Sequence, residues 1–292
     1  MATSHSDIPY ADTQASTRFV RLHAAPAETA EPHGTVVILH GGYWKNAYGL
    51  DDAYGNAGVG TLAPWFLARG YSAVEVEYRR RDHEGGGWPG TNADVLAAVR
   101  HLVSVHAGAA DDAARALRLD KLIVIGHSAG GCLALWLAHK LCNGAVPGCS
   151  VAAVLAAAPV ADLVCAHEMR VSDEGDAVER YMRCVPSDAA GLAAYHEASP
   201  AALLPLRCAT LIVYGDADKD VPPALVQGYA EAAVKASPEF ARVVACPGAD
   251  HFDVVRSDSS AWAQVAAALA ALAHDVGAGA PLGEDASRSL LR

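Results

Sequence analysis

Positive charge is the first thing this sequence lacks. Its 292 residues carry 22 Lys and Arg against 33 Asp and Glu, a net charge of −11 with a pI near 5.5. Nucleic-acid binding needs a concentrated positive face, so no nucleic-acid partner is expected. Long apolar runs are missing as well. No uninterrupted stretch could span a bilayer, and no membrane partner is expected. The first residues, "MATSHSDIPYADTQ", have no basic segment leading into an apolar one, which reads as no secretory signal. The seven cysteines are odd in number and scattered, and none forms a C-x-x-C pair. That excludes a disulfide framework and suits buried thiols in a reducing compartment, so the expectation is a cytoplasmic protein.

What is present is alternation. Short apolar runs, "TVVILH" (35–40), "YSAVEVEYRR" (71–80), "KLIVIGH", "VAAVLAAAP" (151–159), "ATLIVYG" (209–215) and "ARVVACPG", take turns with helical patterns. The helical patterns are "GVGTLAPWFLARG" (58–70), "TNADVLAAVRHLVSVH" (91–106, with Thr91 as its cap), "AGGCLALWLAHKLC", a segment from Pro222 and an Ala-rich one near the C-terminus. Strands apolar throughout, alternating with helices, predict an α/β fold: a mostly parallel central sheet with helices on both faces. Residues 1–34 read as irregular except for an edge strand in "TRFVRLHAA". Residues 160–208 interrupt the series with charged and aromatic residues and read as a cap or lid insertion. The expected organisation is one domain over residues 1–273, with a mobile tail over 274–292.

The chemistry starts at "VIGHSAGG", where Gly126-His127-Ser128-Ala129-Gly130 lies between a strand and a helix. A nucleophilic serine at the apex of such a turn needs nearly side-chain-free flanks for the turn to close. A plain N-cap serine is the alternative, but capping does not require glycine on both sides. A serine hydroxyl also needs a base, and the base an orienting acid. "LIVYGDADKDVPP" leaves a later strand and offers Asp216, Asp218 and Asp220; "VVACPGADHFDVV" leaves the last strand and offers His251, alone among thirteen histidines in that position. Asp250 and Asp253 beside His251 suggest a metal cluster, yet no other His or Cys pair shows ligand spacing, so neither metal nor other cofactor is expected.

Acyl transfer also requires N–H donors for the oxyanion. Ala129 supplies one, and the loop after the first core strand, His40-Gly41-Gly42-Tyr43-Trp44, is placed for the other. Glycine there lets the carbonyl approach and frees the backbone angles that turn the amides inward.

Over residues 18–273 the chain resembles an α/β-hydrolase, and its H-G-G-Y-W resembles the kynurenine formamidase (arylformamidase) branch. "EYRRRDHEGGGWPGTNADV" and "DHFDVV" are similar to segments of bacterial relatives in that group. The family pattern G-x-x-D-x-x-V-P, read as Gly215, Asp218, Val221 and Pro222, selects Asp218 among the three aspartates. The resemblance then implies a Ser128-Asp218-His251 triad and an oxyanion hole of Gly41, Gly42 and Ala129, with Tyr43 a possible further contributor. Tyr43 and Trp44 become candidates for the pocket wall, Trp44 being equally a core residue, and Trp88 for packing beneath it. Arg79, Arg80 and Arg81 are candidates for a substrate carboxylate or, alternatively, for a solvated face or structural ion pairs. The expected activity is a serine hydrolase for a small molecule, N-formylkynurenine or a similar aryl formamide. The alternatives are a carboxylesterase for short-acyl esters and a non-catalytic ligand-binding relative. The expected oligomeric state is a monomer or homodimer.

Overall fold

The computed structural model describes residues 5–23, 31–52, 58–109 and 112–275. Val, Ile, Leu and Ala dominate its inner strands because small and β-branched side chains suit a sheet buried on both faces. The strands are β1 (His5–Pro9), β2 (Phe19–His23), β3 (Thr35–Leu39), β4 (Ser72–Glu77), β5 (Leu122–His127), β6 (Val151–Ala157), β7 (Ala209–Gly215) and β8 (Ala241–Cys246). They form one eight-stranded sheet in the order β1-β2-β4-β3-β5-β6-β7-β8. Only the β1–β2 and β2–β4 pairings are antiparallel.

The helices are α1 (Leu62–Leu67), α2 (Gly90–Ala107), α3 (Asp112–Arg115), α4 (Ala129–Cys142), α5 (Leu163–Glu168), α6 (Ala177–Met182), α7 (Ala189–Ala198), α8 (Pro223–Ala236) and α9 (Ser260–Asp275). Because strand side chains alternate, β3 serves two cores at once. Val36 and Ile38 join Phe66 of α1 and Trp262 and Leu269 of α9 on one face. Val37 and Leu39 join Val99 of α2, Leu133 of α4 and Val226 of α8 on the other. No helix among the described residues is long and apolar enough to cross a membrane.

The insertion between β6 and β7 holds α5, α6, α7 and a 3-10 turn (Pro200–Leu203), packed on the α4 side through Leu163, Tyr181 and Tyr195. Ser199 closes its base: its hydroxyl donates to the Ala161 carbonyl and accepts from the Leu163 amide, both at 3.1 Å.

Two expectations change. "TRFVRLHAA" is not the edge, because His5–Pro9 adds β1 outside it. Nothing in "HSDIP" alternates, and this exposed strand is ordered by its ladder with β2. Thr91 does not cap α2, which starts a residue earlier, with Pro89 in the cap position. Its hydroxyl instead donates to the Arg79 carbonyl (2.5 Å) and accepts from the Gly87 amide (3.0 Å), tying down the loop before the helix. Of the expected tail, 274 and 275 complete α9 and 276–292 lie outside the described residues.

Candidate active site

Four parallel strands, β3, β5, β7 and β8, deliver their C-terminal ends to one edge of the sheet, where ligands bind in open α/β folds. Ser128 stands between β5 and α4 with φ 58° and ψ −121°, a conformation costly for any residue with a Cβ. Its amide donates to the Ala157 carbonyl at the end of β6 (2.8 Å), and its own carbonyl accepts from Gly131 (2.9 Å). The flanking glycines are required by space. A Cβ on Gly126 would lie 2.0 Å from the Gly130 carbonyl oxygen, and one on Gly130 would lie 2.3 Å from those of Leu39 and His40.

His251 follows β8, and its Nδ1 donates to Asp218 Oδ2 at 2.7 Å, with both side chains buried. The other carboxylate oxygen, Oδ1, accepts the amides of Asp220 and Val221, each at 2.9 Å. Three donors thus fix the orientation of the Asp218 carboxylate. Asp216 instead accepts the exposed Gly248 amide at 2.6 Å. The Asp220 carboxyl is raised above the usual range, chiefly by burial and also by Asp218 and other acids. Asp218, Asp220 and His251 also place ligand atoms within 4.8 Å of one another, the single such group among the described residues. In it, Asp218 and His251 already bond to each other. With Nδ1 donating, Nε2 is the lone-pair nitrogen of a neutral His251. Both that Nε2 and Ser128 Oγ are buried and make no hydrogen bond with the protein. Polar atoms left so in a native fold call for an explanation, and reactivity is one.

His127 is a residue that sequence reasoning passed over. Its Nε2–H donates to the His251 carbonyl (2.8 Å) and its ring lies 4.4 Å from the His251 ring. Burial, reinforced by the neighbouring His251, pushes its pKa well below the ordinary histidine value. It is a neutral brace for His251. As the variable letter of G-x-S-x-G it carried no signal.

Because β3 pairs with β5, the loop His40–Lys45 runs alongside Ser128. Gly41 is required there by close approach: a Cβ would sit 2.8 Å from the His127 carbonyl oxygen and 3.0 Å from Ser128 Cβ. The left-handed angles belong to the next three residues, Gly42 (φ 103°), Tyr43 (51°) and Trp44 (55°), closed by a Lys45 amide to Gly42 carbonyl bond of 2.9 Å. Ala129 opens α4, so its amide has no partner within the helix. Tyr43 directs its hydroxyl to the Asp220 carbonyl, 2.6 Å away. Trp44 is fully buried and stacks on Tyr181 of α6 at 4.0 Å. Half-buried Trp88 packs edge-on against Trp136 of α4. His40 anchors the loop, stacked at 4.3 Å on Tyr78, whose hydroxyl donates to the His40 carbonyl at 2.6 Å.

The arginines are in ion pairs. Arg79 makes two bonds to Asp94 (2.7 and 2.8 Å), Arg80 binds Glu77 (2.9 Å), and buried Arg81 lies 3.7 Å from Asp82 and Asp176.

With this arrangement in hand, the sequence matches the BD-FAE family over residues 22–231. The chain belongs to the BD-FAE family. The family match does not single out the kynurenine formamidase branch that the loop motif resembles. No curated protein matches the sequence significantly. Among solved structures, this BD-FAE chain is similar to a bifunctional GH43-CE protein of Bacteroides eggerthii (19% identity, TM-score 0.70). The match covers 93% of this chain but only 38% of that one. It is similar to esterase B of Lactobacillus rhamnosis, solved with an inhibitor (18% identity, TM-score 0.71, covering 93% and 87%). A third similar structure is the Thermogutta terrifontis esterase Est2 with propionate bound (22% identity, TM-score 0.66, covering 96% and 97%). These likenesses establish an α/β-hydrolase fold.

Proposed function

We propose that this BD-FAE protein is a serine hydrolase of carboxylic esters with small acyl groups. One observation carries the reading: a strained, buried Ser128 with a partner-free Oγ, at the same sheet edge as a His251–Asp218 pair whose Nε2 is likewise partner-free. His251 Nε2 takes the Ser128 proton as Oγ attacks the acyl carbon, and Asp218 stabilises the imidazolium. The amides of Gly41, Gly42 and Ala129 receive the oxyanion. His251 then returns the proton to the leaving alcohol, whose bond to the acyl carbon breaks. Water repeats the sequence on the acyl-enzyme and releases the acid.

Esters are favoured over formamides on two grounds. The similar structures include esterases, one holding propionate. Trp44 is enclosed against Tyr181, and Tyr43 is committed to Asp220, so this aromatic pair offers no open wall for an aryl leaving group. The H-G-G-Y-W motif favours the second reading, aryl formamide hydrolysis.

The test is kcat/KM on p-nitrophenyl acetate against N-formylkynurenine. The ester should win by at least about tenfold, roughly 1.4 kcal/mol of transition-state stabilisation. A reversed ratio would move the assignment to the formamide. A fluorophosphonate should label wild type at Ser128; a protein that resists it, with Ser128→Ala equally active, rejects the serine hydrolase.

A further inference from the structure

The strained loop and the acid turn are joined by a single peptide group. Tyr43 donates its hydroxyl proton to the Asp220 carbonyl at 2.6 Å. That carbonyl and the Val221 N–H belong to one peptide unit, and the Val221 N–H donates to Asp218 Oδ1 at 2.9 Å. The other oxygen of Asp218 accepts from His251 Nδ1 at 2.7 Å. The chain therefore runs unbroken from the Tyr43 ring to the imidazole. A peptide whose oxygen accepts a hydrogen bond becomes a stronger N–H donor, since bonds in series polarise one another.

We infer that Tyr43 is a positioning residue of the catalytic machinery, acting through the Asp220–Val221 peptide on Asp218. The inference rests on the serine hydrolase reading above and assigns Tyr43 a place beyond it. Tyr43 touches neither nucleophile nor oxyanion in this role; it orients the acid. The residue itself sits at φ 51° directly after Gly42. One hydroxyl thus fixes two things, the turn that carries the oxyanion donors and the turn that carries the acid. The two loops are 177 residues apart in sequence, so no local pattern could hold them in register.

The experiment is a double-mutant cycle on the full-length protein: Tyr43→Phe, Asp218→Asn and both together. Each is measured by ester turnover and by the rate of fluorophosphonate labelling at Ser128. Tyr43→Phe keeps the ring and removes the donor, so kcat should fall about fivefold, the equivalent of one ordinary hydrogen bond, with KM nearly unchanged. In the Asp218→Asn background the same change should cost less than about twofold, because its route to His251 is already cut. Equal losses in both backgrounds, or no loss in either, would overturn the role of Tyr43 while labelling of wild type left the serine hydrolase intact. A wild type that is not labelled, with Ser128→Ala still active, would bring down both. Should Tyr43→Phe not fold, 3,5-difluorotyrosine at position 43 alters the acidity of the hydroxyl and retains its packing. Turnover that follows this acidity supports the assignment, and unchanged turnover rejects it.

Discussion

Two turns at the same sheet edge hold their backbones in the left-handed half of φ, by different means. At Ser128 the support is local. Gly126 and Gly130 leave room for a turn that no side chain at those positions would permit. At Tyr43 and Trp44 the strained positions are not glycines, and each costs about 1–3 kcal/mol in isolation. Here the support is distant: the Asp220 carbonyl holds the Tyr43 hydroxyl, Tyr181 stacks under Trp44, and the Arg81 amide donates to the Trp44 carbonyl at 2.8 Å. A turn kept by glycine is visible in its own five letters. A turn kept by tertiary contacts is visible only once the chain is folded.

The comparison sharpens first at its chemical end. Ser128→Ala removes an oxygen that makes no hydrogen bond in the fold. Ester turnover should drop by about four orders of magnitude or more, with thermal unfolding little changed. Near-normal turnover would make the elbow a turn and nothing else. Gly130→Ala attacks the local support, since its Cβ would meet two carbonyl oxygens at 2.3 Å. Urea titration should show a loss of about 4 kcal/mol or more, or no folded protein at all. A loss below about 1 kcal/mol, or the gain of about 1 kcal/mol that helix propensity alone gives alanine over glycine, would show that glycine is not what holds the elbow.

Tyr181→Ala attacks the distant support instead. It removes the stack under Trp44 and the hydrogen-bond partner of the Asn92 side chain. Stability should fall by about 3 kcal/mol, as for a buried aromatic truncated in a core. If the distant contacts are what hold the left-handed turn, turnover by the folded fraction should fall too. Full activity of that fraction would show that the turn holds itself.

The same contrast accounts for what could be read without the fold. Alternating apolar runs gave the central strands, because burial on both faces leaves a compositional mark. Ser128 and His251 stood out because each lies in a strand-to-helix turn with local features. The choice of Asp218 needed a family pattern, and the physical ground emerges only in the fold, where three donors converge on one carboxylate. Nothing in "HSDIP" announced β1, since exposed edge residues carry no apolar period. Thr91 looked like a cap because capping chemistry is local, whereas its actual partners, Arg79 and Gly87, belong to the preceding loop. Trp44 was legible as core or pocket but not as one of the two, because its partner Tyr181 lies in an insertion without a recognisable motif.

The smallest effect concerns the elbow's remaining side chain, and pH isolates it. His127 titrates in the folded protein well below the ordinary value of 6.5, first because burial removes it from water and then because His251 lies beside it. Above pH 6.5 the imidazole is neutral in both folded and unfolded chains, and its contribution to stability is complete. As pH falls below 6.5, the unfolded chain takes up a proton that the folded one does not, so stability declines, by up to about 1.4 kcal/mol per pH unit. His127→Gln removes the titration and retains an N–H that can reach the His251 carbonyl, the bond His127 makes at 2.8 Å. Urea unfolding at pH 8, 6.5 and 5.5 should give a shallower acid slope in the variant, with the two curves parallel above pH 6.5. Parallel curves throughout would mean that at acid pH His127 takes up a proton in the fold as readily as in the unfolded chain. The elbow would then hold a charge beside His251, and local glycines would not suffice to explain how it is kept.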